Sequence, residues 1–365
     1  MKGLVSLVLS LLCVFAPLAG QGAAVVDALG NPVALDGPAL KVLCSGSGAL
    51  RLLTYLGAQD RIVAVEDIEK RVQAVDPRPY FLANPGFRDL PLFGEFRGQA
   101  RPELILGLPE LPQVIFKTYP EAGTNAAALQ EATTVPVVPL QYGDLLGGRD
   151  DFYRSLKAMG AVTGREERAG EVIAFFEKAI ADLRDRTEGL AETDRPSCFV
   201  GGVAYRGAHG LASTELAYPP FVFTAARAVT EAEAPSERSA HSEISREKLL
   251  AWDPEYLFID LVTLNAGERA GALYELKETP LWKDLRAVRE GRVYGILPYN
   301  WYTQNYGSVL ANAYFVGKTL YPDRFSDVDP AAKADEIYRF LVGKTLFAQI
   351  NASFDGMAFR RLDLK

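Results

Sequence analysis

Histidine and cysteine are scarce in this chain: two histidines, His209 and His241, and three cysteines among 365 residues. So few imidazoles leave little material for a metalloenzyme cluster or a serine–histidine triad. Basic runs are absent and the net charge is −7, which argues against nucleic acid or an anionic membrane surface as partner. Repeats and low-complexity tracts are also absent, which disfavours a structural or adhesion array. Long apolar stretches are confined to the start, where Lys2 precedes an apolar run from Leu4 to Ala19 and then small residues through Ala24. That is the pattern of a secretory signal peptide, too short and too broken by Pro17 for a membrane span. Cleavage is expected after Ala24, with Gly22 and Ala24 at the small-residue positions. Gln21 stands where a lipoprotein box would carry cysteine, so a free periplasmic or extracytoplasmic protein is expected. Cys13 leaves with the leader. Cys44 and Cys198 each sit in an apolar run opening a different half of the chain, which favours two buried thiols over a disulfide.

The roughly 340 residues that remain suffice for two domains with their own cores. From Ala39 the runs KVLCS, RIVAVED, RPELILGL, QVIFKTY and PVVPL alternate with helical patterns such as ALRLLTYLG and NAAALQEAT, which implies parallel strands with crossover helices. Between Asp150 and Leu190 helical spacing is nearly unbroken. Phe152, Leu156 and Met159 start one apolar stripe, Val172, Phe176, Ile180 and Leu183 continue another, and Gly160 and Gly164 mark a break. After Pro196 the alternation resumes with SCFVGGVAY, a helix over about Pro220 to Val229, the helix SREKLLAW, the strand EYLFIDL, a helix around LWKDLRAV, the strand RVYGILP and a terminal helix after DPAAKADEIYRFL. The expected organisation is α/β: a signal peptide over 1–24, an N-terminal lobe over 25–150, a helical connector over 151–194 and a C-terminal lobe with terminal helices over 195–365.

The stretch VLCSGSGALRLLTYLG reads as strand, small-residue turn and helix, so its turn presents something. It is not a dinucleotide fingerprint, because Arg51 stands at the third glycine. It lacks the Gly-Lys-Ser/Thr ending of a phosphate loop and the first glycine of a nucleophile elbow, Ser45 standing there instead. Ser45, Gly46, Ser47 and Gly48 offer N–H groups and hydroxyls at a helix start, suited to an anion or a polar ligand edge. The plainer alternative is an ordinary serine-capped turn.

SREKLLAWDPEYLFID, TPLWKDLRAVREGRVYGI and LYPDRFSDVDP resemble the substrate-binding proteins of iron-siderophore, haem and cobalamin importers, the helical-backbone (class III) periplasmic binding proteins. The first half shares the resemblance through VLCSGSGALRLLTYLGAQDRIVAVE, RPELILGLPELPQVIF and PVVPL. It implies two Rossmann-like lobes with central parallel sheets joined by a long backbone helix, a ligand cleft between them, and delivery to the transmembrane subunits of an ABC permease. It also implies a monomeric receptor without catalytic residues, protein-held metal or resident cofactor.

Four loops after expected strands would meet in such a cleft. The first is the turn with Ser45, Gly46 and Ser47. The second holds Lys117 and Tyr119. The third, Gly201 to Gly210, lets backbone approach closely while Tyr205, Arg206 and His209 supply donors. The fourth, Tyr299 to Tyr306, interleaves Tyr299, Trp301 and Tyr302 with amides, as a planar or chelate ligand would require. Lys117 has the alternative of a solvated lysine, and His209 that of a brace for its own loop. Arg206 can fork onto a carboxylate or oxyanion. Cationic and aromatic groups together suit an anionic metal chelate, meaning a ferric siderophore, haem or a corrinoid, and also suit molybdate or tungstate. The loops hold no acid apart from distal Glu215, which makes a naked ferric ion the weakest choice. An exported α/β enzyme is the alternative from another class. For docking, the resemblance assigns one surface glutamate per lobe to permease arginines, matched by Glu103 in ARPELILGL and Glu247 in SREKLLAW.

Overall fold

The computed structural model describes residues 25–27, 29–33, 37–71, 75–234, 240–267 and 269–364; the expected signal peptide lies outside them. In the N-terminal lobe, the strands Val42–Ser45, Val114–Thr118 and Val137–Leu140 pair in parallel, with Val114–Thr118 in the middle. Their residues are almost all buried, as befits parallel strands covered on both faces. Ile62 bridges Val42 on the open side. Beyond it Val65–Glu66 pairs with Leu92–Glu95, which turns back through a tight hairpin to Gln99–Ala100. The hairpin was not expected; only the apolar-polar alternation of LFGEFRGQA and the FRG tip hint at it.

The connector is two packed helices, Arg149–Thr163 and Glu166–Thr187. Gly164 alone makes the break, in the left-handed region at φ 60, where glycine carries no Cβ penalty. Gly160 lies inside the first helix, and a Cβ there would meet that of Ala169 at 3.0 Å. The second helix runs 22 residues, about 33 Å at 1.5 Å per residue.

The C-terminal lobe holds a five-stranded sheet in the order Arg227–Ala228, Ser197–Gly201, Tyr256–Asp260, Val293–Ile296, Arg360–Arg361, the last strand antiparallel and the others parallel. A short ribbon pairs Ser213–Glu215 with His241–Glu243. The helix expected over about Pro220 to Val229 is a correction: it spans only Pro219–Phe223. Ala225 turns into the left-handed region (φ 49), and the chain then adds the edge strand Arg227–Ala228. The LWKDLRAV segment is a 3-10 turn over Pro280–Asp284 followed by the single helical turn Arg286–Arg289. SREKLLAW and the terminal helix form as expected, capped by Ser245 on Lys248 N and by Asp329 on Ala331 N and Ala332 N. The helix Tyr306–Leu320 was not expected. It is buried on nearly every side, so it has no polar face to give it a period.

Cys44 and Cys198 are free and buried. One apolar cluster runs through both lobes and the connector, joining Val42 and Leu52 to Phe152 and Phe176 and on to Val309 and Phe258. At its centre the Tyr306 ring lies 4.4 Å from that of Phe152, 4.9 Å from Tyr142 and 6.2 Å from Phe176. A shared core makes the lobes one cooperative unit. Phe176→Ala should cost about 3–5 kcal/mol. It should lower the midpoint equally whether unfolding is followed by far-ultraviolet circular dichroism or by tryptophan fluorescence, which reports only residues 252, 282 and 301 in the C-terminal half. Two separated transitions would show that the lobes are independent.

Candidate functional site

The turn after Val42–Ser45 is built around a carboxyl group, and the carboxyl is the protein's own. Glu66, at the end of the neighbouring strand, receives hydrogen bonds on Oε1 from Ser45 Oγ at 3.2 Å, Gly46 N at 2.8 Å and Gly98 N at 3.1 Å. Ser45 and Gly46 are therefore buried against Glu66, and of this turn only Ser47 faces the space between the lobes. Gly46 must be glycine: at φ 89 a Cβ would sit 2.5 Å from the Thr118 carbonyl oxygen.

Lys117 is likewise neither a cleft residue nor a solvated one. Register with Ser45 in the central strand carries its side chain inward, where Nζ donates to Ala122 O at 2.9 Å and Gly98 O at 3.4 Å. Burial pushes its pKa down, against the pull of Glu66 and Glu121. Tyr119, two residues on, does reach the cavity, half-exposed and hydrogen-bonded to Thr303 Oγ1 at 2.9 Å.

Residues 301–304 of the aromatic loop from the C-terminal lobe are fastened to the N-terminal lobe at three points. Arg51 is 1% exposed; its Nη1 donates to Tyr142 Oη at 2.5 Å and Gln304 O at 2.8 Å, and its Nη2 to the carbonyls of Trp301 and Tyr302, both at 3.2 Å. Tyr302 Oη donates to Glu66 Oε2 and accepts from Arg97 N. Tyr119 and Thr303 form the third contact. Within the loop, Asn305 N donates to Tyr299 O at 2.6 Å and Asn300 Nδ2 to Ala204 O at 2.7 Å. Tyr299 is fully buried and donates to Glu215, so it supports the loop from below rather than lining the cleft.

Between the lobes lies a cavity of about 940 Å³. Ser47, Tyr119, Tyr205, Arg206, Trp301 and Tyr302 line it as expected; His209 does not, and instead braces its loop through Nε2 on Tyr205 O at 2.6 Å. The hairpin tip adds Phe96 and Arg97, and Arg71 lies 4.2 Å over the Phe96 ring. Among the described residues, no carboxylate lines the cavity. Arg71 pairs with Asp67 at 2.6 Å, whereas Arg97 and Arg206 have no carboxylate partner among the described residues. Their backbones at φ 64 and φ 57 are bends that swing long side chains off tight turns. Two acids lie just behind the lining, Asp67 on Arg71 and Phe96 N and Glu66 on Tyr302, a placement not expected from loop composition. Among the described residues, no group of three or more His, Cys, Asp and Glu is gathered to hold a metal ion, and no helix is long and apolar enough to cross a membrane.

Residues 42–299 match the family described as periplasmic binding protein. An iron-uptake system-binding protein of Bacillus subtilis is 22% identical over 201 residues, covering 54% of this chain and 55% of that protein. An Fe(3+)-citrate-binding protein of the same organism is 29% identical over 195 residues, covering 53% of each. The chain thus spans about half the length of the curated relatives it matches. A solved structure of the molybdate periplasmic binding protein of Haemophilus influenzae, bound to molybdate, superposes with a TM-score of 0.67 at 17% identity, covering 88% of this chain and 98% of that one. The likeness extends to the two-lobed architecture.

Burial pushes the Glu66 carboxyl up from 4.5 to about 7, against its donors and Lys117. Between those values the folded protein holds a proton the unfolded chain has released, so stability falls as pH rises through that window. Chemical denaturation from pH 4.5 to 7.5 should show this slope in the wild type and its loss in Glu66→Gln; an unchanged slope would remove Glu66 as its source.

Proposed function

Because the chain belongs to the periplasmic binding protein family, we propose that it is the receptor of an ABC importer that captures an anionic iron chelate, of ferric siderophore or ferric citrate type, in the interlobe cavity. The observation that carries this reading is the cavity's chemistry: guanidiniums, of which Arg97 and Arg206 have no carboxylate partner among the described residues, set among aromatic rings in about 940 Å³. That volume is near the top of the roughly 300–1,000 Å³ typical of pockets that enclose drug-sized ligands. A tetrahedral oxyanion such as molybdate or tungstate would satisfy the same arginines and leave most of the space to water. Haem and corrinoids fit the rings but have less support, since the curated relatives are named for iron uptake and ferric citrate. No metal ligands are needed from the protein, because a chelate is recognised through its organic shell.

An enzymatic reading finds little support among the described residues. The Ser213–His241 contact, at 2.8 Å, resembles a catalytic pair, but Ser213 is fully buried and spends its proton on the Val203 carbonyl. Its oxygen therefore accepts from the imidazole and is not activated by it.

Calorimetry against ferric citrate, a ferric trihydroxamate, haem, cobalamin, molybdate and tungstate tests the ligand class. Arg206→Ala should weaken the binding found by about tenfold or more, since a charge-assisted hydrogen bond contributes ~1.5–3 kcal/mol. Trp301→Ala should weaken it as well; unchanged affinity in both variants would refute the site.

Glu103 and Glu247 are exposed, and each is the second residue of a short helix, Pro102–Leu106 and Arg246–Trp252. Neither forms an ion pair among the described residues. A carboxylate there complements the positive helix end, for ~0.3–1 kcal/mol, and stays free to meet a basic permease face. The double variant Glu103→Lys, Glu247→Lys should lose ligand import while keeping ligand affinity and melting temperature. Normal uptake in cells lacking the wild-type protein would dismiss the docking role.

A further inference from the structure

The chain's two histidines come together behind the C-terminal wall of the cavity, with ring centroids 5.8 Å apart. Their hydrogen bonds fix their protons. Ser213 Oγ donates to Val203 O at 2.7 Å, so toward His241 it can only accept, and His241 carries its proton on Nε2. The Tyr205 carbonyl is also an acceptor only, so His209 carries its proton on Nε2 too.

The loop above them is held at three successive carbonyls: Val203 by Ser213, Ala204 by Asn300 and Tyr205 by His209. These bonds fix the backbone and leave the Tyr205 side chain to its own contacts. That ring is 44% exposed and lies flat on the His241 imidazole, with centroids 4.3 Å apart and planes 8° apart. On the loop's next residue, the Arg206 guanidinium lies 5.4 Å from the centre of the same ring. The arrangement is a chain of support: ribbon, Ser213, His241, Tyr205, Arg206.

We infer that His241 is a positioning residue for ligand binding: it never touches the ligand, but holds the Tyr205 ring, and with it Arg206, in the orientation the cavity presents. This rests on the cavity being the ligand site, as read above. An exposed aromatic side chain exchanges among several rotamers unless a neighbouring surface favours one, and a half-buried imidazole held through Nε2 supplies such a surface. Burial, and secondarily His209, keep the His241 pKa below its ordinary value, so the surface is a neutral ring. If His241 merely secured its own ribbon, its loss would lower stability and leave Tyr205 where it is.

The test uses the mature chain labelled with 3-fluorotyrosine, with the Tyr205 resonance identified through Tyr205→Phe. In ligand-free protein, His241→Ala should move that fluorine signal from its ring-shielded position, and His241→Phe, which keeps a flat surface, should return it toward the wild-type value. With ferric citrate as the probe, His241→Ala should weaken binding roughly three- to tenfold, the scale of one aromatic pair. His241→Phe should bind within about twofold of the wild type, well inside one aromatic pair's contribution. A Tyr205 signal indifferent to His241→Ala overturns the inference. So does a signal that moves while ferric citrate affinity holds and Trp301→Ala still weakens it, a result that leaves the cavity as ligand site. A ferric trihydroxamate takes the place of ferric citrate if the latter does not bind the wild type; if neither binds, or the one that binds does so regardless of both Arg206→Ala and Trp301→Ala, the iron-chelate reading of the cavity fails and the inference falls with it.

Discussion

Arg51 is a guanidinium buried away from water, and its two terminal nitrogens, though not Nε, find neutral acceptors, most of them across the lobe boundary. Three of its acceptors are main-chain carbonyls at 301, 302 and 304, and the fourth is the Tyr142 phenol, which itself donates to the carbonyl of Gln304. Leaving such a charge unpaired costs several kcal/mol, so the aromatic loop is held in place by the needs of a residue in the other half of the chain. The cavity's shape depends on this contact. Trp301 and Tyr302 present their side chains to the ligand space while their carbonyls are turned toward Arg51.

The Glu66 cluster repeats the logic with opposite sign. A buried carboxylate gathers donors from the first turn, the hairpin and, through Tyr302, the opposite lobe. Burial and the nearby carboxylate push the Tyr302 phenol well up, so it stays protonated and donates. Together the two clusters make one wall of the cleft composite: coded in the second half of the chain and anchored in the first. The shared apolar core and the 22-residue helix then leave the lobes little freedom to hinge, because bending would break packing and backbone hydrogen bonds together.

What the sequence revealed followed the range of the signal. Strand runs such as QVIF and helix starts such as the capped SREKLLAW are local, and they were legible. The loops at Tyr119, Tyr205 and Tyr299 to Tyr306 could be placed at strand ends, and most of their exposed side chains do meet in the cavity. Ser45, Gly46, Lys117 and Tyr299 were misplaced for a common reason: each has a buried ionised or polar partner, Glu66 or Glu215 among them, supplied from elsewhere in the fold. Arg51 entered the sequence argument only as the residue that spoiled a glycine motif. Nothing in ALRLLTYLG states that its arginine points inward, since the acceptors it needs lie some 250 positions downstream. The helix Tyr306–Leu320 was hidden for the complementary reason, being apolar on every side.

That separation has a consequence for the order in which the protein comes into being. A chain emerges from the ribosome N-terminus first, and domains commonly fold as they appear. Here the N-terminal half can lay down its parallel strands early, yet it holds an arginine whose acceptors and a glutamate whose phenol donor have not been made. Until residues 301 to 304 arrive, both buried groups lack part of their environment, and contacts of such long range are slow to close. The first half is therefore kept short of its native state until residues 301 to 304 have been made, a delay that leaves the newly made protein open to whatever handles unfolded chains.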